Sequence, residues 1–181
     1  MNKVEPIRSI QLISDMKNYL KRENERNYIL FLTGIFTGLR ISDILKLKIK
    51  DVKDRQIINV KEQKTNKTNR IVINKELEKA YKNYCKDKFD DDYLIKSRIK
   101  VNKAISREQA YKILKQLGED FGLCSLGTHT MRKTFGFHYY KQYKDIALLT
   151  KMFNHSHPSI TMDYIGITQN KIDDIRRNFK Y

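Results

Sequence analysis

Apolar residues recur every three or four positions over most of the chain, a spacing that predicts helices. After Pro6, the residues Ile10, Leu12, Ile13, Met16 and Leu20 form one face of a first helix. A second runs from about Asn24 to Thr37 and is apolar enough to be central to a core. Gly38 breaks it, and Ser42-Asp43 begin a short third helix, Ile44 to Leu47. Then the period changes. Ile57, Ile58 and Val60 precede a polar stretch, Lys61 to Asn69, and Arg70-Ile-Val-Ile follows; the pattern is that of a β-hairpin, with room for a third short strand before it.

Helical spacing returns from Asn74 onward. Leu77, Ala80, Tyr81 and Tyr84 share one face, and Ser106 caps another helix running to about Phe121. Met131 to Tyr143, Ile146 to Phe153, Ile160 to Tyr164 and Lys171 to Phe179 complete the helices. The aspartates Asp90 to Asp92 read as a solvated loop, since no flanking acid or histidine spacing supports a metal site. Only two prolines and seven glycines occur, so long helices are permitted, and there is no linker or internal repeat. The expected fold class is mainly α with a small antiparallel β-sheet (α+β): one domain over residues 1–181, with a helical tail at 165–181.

Composition adds a partner class. The 37 Lys and Arg outnumber the 21 Asp and Glu, giving a net charge of +16 over 181 residues. Such an excess favours a polyanion through phosphate contacts and counterion release. A ribosomal-type or merely basic protein carries the same charge, so charge alone does not choose. Cys85 and Cys124 stand in unrelated contexts that suit reduced thiols better than a disulfide framework or a zinc site. The longest apolar segment, Tyr28 to Phe36, is broken by Thr33 and Gly34 and falls short of the roughly 20 residues of a membrane span. With no apolar run at the N-terminus, the expectation is a soluble, cytoplasmic protein.

Candidate chemistry is scattered along the chain. His129 and Arg132 in HTMR are three apart, so a helix places both on one face. Arginine suits a phosphate because its planar fork donates two parallel hydrogen bonds and stays charged. Arg40 follows the helix-breaking Gly38, and Asp43, three residues on, is placed to cap the next helix and orient the guanidinium. Each of these motifs alone is equally an ordinary surface Arg beside a cap. Tyr164 is one of 11 tyrosines, and a phenol with a pKa of about 10 needs cationic neighbours or a base to attack at neutral pH. What singles it out is its nine-residue interval from His155, with Pro158 between them; His157, directly before that proline, reads as solvent-facing. Lys64 falls at the hairpin tip among Lys61, Lys67 and Arg70. From Lys46 to Lys75 ten basic residues face three acidic ones, so sequence-neutral backbone binding accounts for most of them.

Taken in order, these segments resemble the tyrosine recombinases, also called the phage integrase family. TGLRISDILKLKIKDV is similar to its first arginine box, KEQKTNKTNRIVI to its hairpin lysine segment, HTMRKTFGFHYY to its H-x-x-R helix, and LLTKMFNHSHPSITMDYIGI to the block ending in the nucleophile. The resemblance covers roughly residues 5 to 170. It implies that Arg40 and Arg132 hold the scissile phosphate and stabilise the pentacoordinate transition state. It also implies that His129 assists proton transfer with the tyrosine, that Lys64 is the general acid for the leaving hydroxyl, and that His155 donates a hydrogen bond to the phosphate. Asp43 supports the site, and Tyr164 forms a 3′-phosphotyrosine link. Lys61, Lys67, Arg70 and Lys133 are expected at the DNA. The implied partner is double-stranded DNA bound by a tetramer, with a monomer in its absence, and no metal or other cofactor.

Two departures stand out. The family commonly has Leu-Gly before the His155 position, where this chain has Phe153-Asn154. The usual N-terminal helical domain is absent, which fits either the catalytic half of a longer protein or a short single-domain member. Ile167, Ile172, Ile175 and Phe179 form an apolar pattern after Tyr164 that suits a helix docked on a neighbouring subunit or folded back on its own core. Two other functions share these features: a type IB topoisomerase-like nicking-closing enzyme, and a non-catalytic DNA-binding protein on the same fold.

Overall fold

The structure, a computed structural model, describes residues 4–61, 68–99, 101–123, 126–167 and 176–180. The helices are α1 (Ile10–Glu23), α2 (Glu25–Thr37), α3 (Ile41–Ile44), α4 (Lys75–Cys85), α5 (Arg107–Asp120), α6 (Thr128–Tyr143), α7 (Ile146–Met152) and α8 (Pro158–Tyr164). Strands β1 (Ile57–Lys61) and β2 (Thr68–Val72) pair antiparallel, with Ile58 opposite Ile71 and Asn59 opposite Arg70. The expected class, mainly helical with one small antiparallel sheet, is the class observed. In place of a further strand before the hairpin, Ile49–Asp51 form a 3₁₀ turn.

Helix α2 is the hub. It packs on α1, α4 and α6, and Ile29 to Gly34 are all buried. Thr33 and Tyr81, the latter from α4, share a buried hydroxyl–hydroxyl hydrogen bond of 2.9 Å, so polar atoms at the hub are satisfied. Asn24 alone separates α1 from α2. Its N–H donates to the Leu20 carbonyl, ending α1, and its side chain accepts from the Asn27 N–H, starting α2. Gly34 lets α6 approach closely, because a Cβ there would overlap the Met131 side chain.

Several boundaries differ from the periodicity, each for a local reason. Helix α3 begins at Ile41, ahead of the expected Ser42-Asp43 start. Gly38 ends α2 in the left-handed region (φ 64°), and Arg40, extended at φ −69° and ψ 148°, is the residue from which the chain re-enters helix. Asp43 is therefore inside the first turn, fully buried, and is not the cap. Helix α8 starts two residues before Ile160, because Pro158 suits a first helical position and His157 caps it. The Asp90–Asp92 loop is solvated but ion-paired: Asp91 bridges Lys48 and Lys50, Asp90 meets Lys53, and Asp92 holds Lys96.

A second, smaller apolar cluster of Leu149, Phe153, Ile165 and Ile167 joins α7 and α8 to α6. Gly136 makes that junction possible, since a Cβ there would lie 2.7 Å from Ile165 Cγ2 and 2.8 Å from Phe153 Cε2. In the expected tail, residues 176–178 are helical and Phe179 is 65% exposed, whereas Ile172 and Ile175 lie outside the described residues. Cys85 is buried, which pushes its thiol up to about 11; Cys124 is outside the described residues. Among the described residues, no helix is long and apolar enough to cross a membrane.

Candidate active site

Four of the six expected catalytic side chains converge on one end of α6, and a fifth, His155, packs beside them. The first turn of α6 carries His129 and Arg132 on one face. The helix begins where Gly127, in extended conformation, gives its N–H to Thr130 Oγ1 at 3.1 Å. Arg132 is 3% exposed and reaches outward between two backbone carbonyls. It donates to the Gly38 carbonyl and, at 2.8 Å, to that of Phe153, with its guanidinium 4.1 Å from the Phe153 ring. Arg40 donates to the same Phe153 carbonyl at 3.4 Å. Two guanidiniums from distant segments thus share one oxygen, fixing both charges beside a single point.

Phe153 and Asn154, the departure noted in the sequence, explain that oxygen. Asn154 takes φ 51°, the left-handed region that favours glycine and that asparagine tolerates best among the others. Its N–H donates to the Lys151 carbonyl at 3.1 Å, and the His155 N–H donates to that of Thr150 at 3.1 Å. These are the paired bonds of a Schellman ending. The turn closes α7 and delivers the Phe153 carbonyl to the arginines and the His155 ring to Tyr164. Asparagine does the work a glycine would do.

His155 is held by a chain of hydroxyls. Its Nδ1 lies 2.9 Å from Oγ1 of the fully buried Thr161, and Thr150 Oγ1 donates to that oxygen at 2.9 Å. When Thr161 donates in turn to Nδ1, the neutral imidazole carries its proton on Nε2 and presents a donor there. Thr150 and Thr161 were not expected as site residues; a threonine three residues before Tyr164, on the same face of α8, was the available signal.

Tyr164 closes the set. Its hydroxyl is 3.1 Å from His129 Nδ1, and its ring lies edge-on to His155 and Phe153 at centroid distances of 5.3 and 5.7 Å. Burial pushes the phenol above its ordinary value of 10.0, while Arg132 and Arg40 pull it back. Beside it opens a cleft of about 390 Å³ lined by Arg40, Ile41, Ser42, Arg107, Thr128, His129 and Arg132. Among the described residues, no carboxylate lines it. Arg107, the first residue of α5, was missed in the sequence. A cation at a helix N-terminus opposes the macrodipole, which was the available clue.

The remaining expectations divide. Lys61 and Arg70 are exposed on the hairpin strands, whereas Lys64 and Lys67 lie outside the described residues. His157 is exposed as expected, its Nδ1 2.8 Å from Ser159 Oγ. Lys133 corrects the expectation of a DNA-facing lysine: it is 5% exposed, and its Nζ donates to the Val4 carbonyl at 2.8 Å, because its place on α6 faces the N-terminal segment.

The domain is mostly helical with a small hairpin, and its site brings two arginines to one point beside a histidine-bonded tyrosine. The model of the phage integrase family matches residues 8–171, and the chain belongs to that family. It is 48% identical over 169 residues to the probable integrase/recombinase YoeC of Bacillus subtilis (strain 168), covering 93% of each chain. It is 31% identical over 147 residues to tyrosine recombinase XerA of Pyrococcus furiosus, covering 80% of this chain but 50% of that one. The fold is shared with the crystal structure of XerA recombinase (TM-score 0.78, 22% identity, 98% of this chain and 67% of that one). It is also shared with a lambda integrase dimer bound to a COC′ core site (TM-score 0.69, 16% identity, 100% of this chain and 63% of that one).

Proposed function

We propose that this chain is a site-specific DNA recombinase that cleaves and rejoins double-stranded DNA through a 3′-phosphotyrosine at Tyr164. The observation that carries the reading is the Tyr164 hydroxyl bonded to His129 at the edge of a cleft that is lined, among the described residues, by arginines and no carboxylate. A phosphodiester placed in the cleft would take the donors that Arg40 and Arg132 now give to the Phe153 carbonyl. Two fixed guanidiniums then neutralise the charge that grows on the non-bridging oxygens in the transition state. The Tyr164 oxygen attacks phosphorus as its proton passes to His129. The bond from phosphorus to the 5′-oxygen breaks, and that oxygen leaves as a hydroxyl after protonation, the role we assign to Lys64. One phosphodiester replaces another, so a 5′-hydroxyl from a second strand can reverse the step and reseal the DNA. His155 donates to the phosphate, and Asp43 supports the α3 turn behind Arg40. Lys61, Lys67 and Arg70 bind backbone phosphates around the site.

Strand exchange needs two duplexes and four cleavages, which fits a tetramer on DNA built from chains that are monomeric without it, working in the cytoplasm. Residues beyond 167 would dock on a neighbouring subunit, a reading that the exposed Phe179 supports. The deciding experiment is adduct trapping. A nicked suicide duplex, selected for adduct formation from a random-sequence library, should yield a covalent protein–DNA species that disappears in Tyr164→Phe while binding persists. An adduct that survives in that variant removes Tyr164 as the nucleophile.

A further inference from the structure

The segment that precedes α1 is tied to α6 along its length. Lys133 Nζ donates to the Val4 carbonyl, the Ile7 N–H donates to Thr134 Oγ1 at 2.9 Å, and His138 Nε2 lies 2.9 Å from the Ile7 carbonyl. The Arg8 guanidinium lies 5.2 Å over the Phe137 ring. The same segment backs the turn that follows the nucleophile: a Cβ on Gly166 would stand 3.0 Å from Arg8 Nη2 and 3.4 Å from Glu5 Oε2. Residues 4–8 therefore lie against both the helix that carries His129 and Arg132 and the turn that follows Tyr164.

Lys133 is the link between them. Burying an ammonium is costly unless oxygen atoms or ring faces compensate it, and an apolar side chain of similar size would fill the place without that cost. Here the Nζ that meets Val4 also sits 5.2 Å from the centroid of the Tyr164 ring, within the range of a cation–π contact. His129 holds the hydroxyl end of the same side chain. The phenol is thus gripped at its face and at its tip.

We propose that Lys133 is a positioning residue for Tyr164: its ammonium, anchored on the Val4 carbonyl, holds the ring face and fixes the direction of the hydroxyl. The segment at residues 4–8 is then part of the scaffold of the active site. The inference rests on the reading of Tyr164 as the nucleophile. An attacking atom displaced by a fraction of an ångström loses rate steeply, whereas the DNA surface is unaffected.

The test is single-turnover adduct formation on the library-selected suicide duplex, with rate and DNA affinity measured separately. Lys133→Gln keeps an N–H donor for Val4 and removes the charge; it should lower the rate at saturating DNA about tenfold and leave the apparent Kd within about twofold. Lys133→Arg should recover most of the rate. An unchanged saturating rate in Lys133→Gln, or a loss confined to Kd, overturns the proposal. A second measurement needs no DNA and keeps its outcome distinct from failure of the recombinase reading. In the NMR spectrum of the unliganded protein, the Lys133 ε-methylene protons should be shifted upfield by the Tyr164 ring and return downfield in Tyr164→Leu. Unshifted protons in the wild type overturn the contact itself.

Discussion

At the scale of single residues, the arrangement of the site depends on side chains set behind it. Thr161 is fully buried, and its hydroxyl meets His155 Nδ1 and Thr150, so it fixes the tilt of the imidazole. Thr161→Val removes that partner at nearly constant volume. It should lower adduct formation by roughly tenfold or more and cost about 1–3 kcal/mol of stability, the range for leaving buried polar groups unsatisfied. Thr161→Ser should restore most of both, read by adduct kinetics and urea melts. Arg40 and Arg132 show the complementary arrangement, in which strong donors are already aimed by backbone carbonyls before any DNA arrives. Donors held in this way are preorganised, so on the reading proposed above a phosphate would meet guanidiniums that need little rearrangement.

At the scale of elements, the decisive features are endings. Helix α2 ends at Gly38 so that Arg40 emerges at a turn, and α7 ends at Asn154 so that Phe153 faces the arginines and His155 the Tyr164 ring. Asn154→Ala should cost about 1 kcal/mol, because alanine pays the full left-handed penalty. Asn154→Gly should remain within a few tenths of a kcal/mol of the wild type or exceed it. Thermal or urea unfolding of the three proteins checks the order Gly at or above Asn, and Asn above Ala. If alanine matched asparagine, the turn would not be what limits this junction. The same reasoning explains the departure from Leu-Gly in the sequence: asparagine keeps the backbone conformation and changes only the side chain.

At the scale of the whole molecule, a net charge of +16 and a cleft with three arginines set how the chain meets DNA. Binding should weaken steeply with salt, since each neutralised phosphate releases counterions and contributes about −0.9 to the slope of log K against log salt. Arg107→Ala should make that slope shallower by about 1 and weaken binding about equally across sequences. A fluorescence-anisotropy salt titration reads both quantities, and an unchanged slope would remove Arg107 from the phosphate contacts. The small cluster joining α7 and α8 to α6 matters at this scale too. It seats Tyr164 against α6 through Gly136 and leaves the larger core to hold the arginines.

Local physics made much of this legible in advance. The periodicity of Ile10 to Leu20, the apolar run into Thr37, the helical spacing from Asn74 onward and the cap at Ser106 determined the helices, because they depend on neighbours three or four residues apart. The order of the arginine, histidine and tyrosine segments gave the family. What the chain could not disclose were contacts between residues far apart along it. Lys133 looked like one more surface lysine, yet a carbonyl 129 positions away takes it inside, and Arg107 came to line the cleft only because α5 is packed beside α3 and α6. Asp43 looked like a cap until Gly38 and Arg40 set the start of α3 three residues earlier, at Ile41. Sequence settles what each segment tends to do by itself. Which carbonyl an ammonium meets, and which ring it covers, is decided when burial forces every polar group to find a partner in three dimensions.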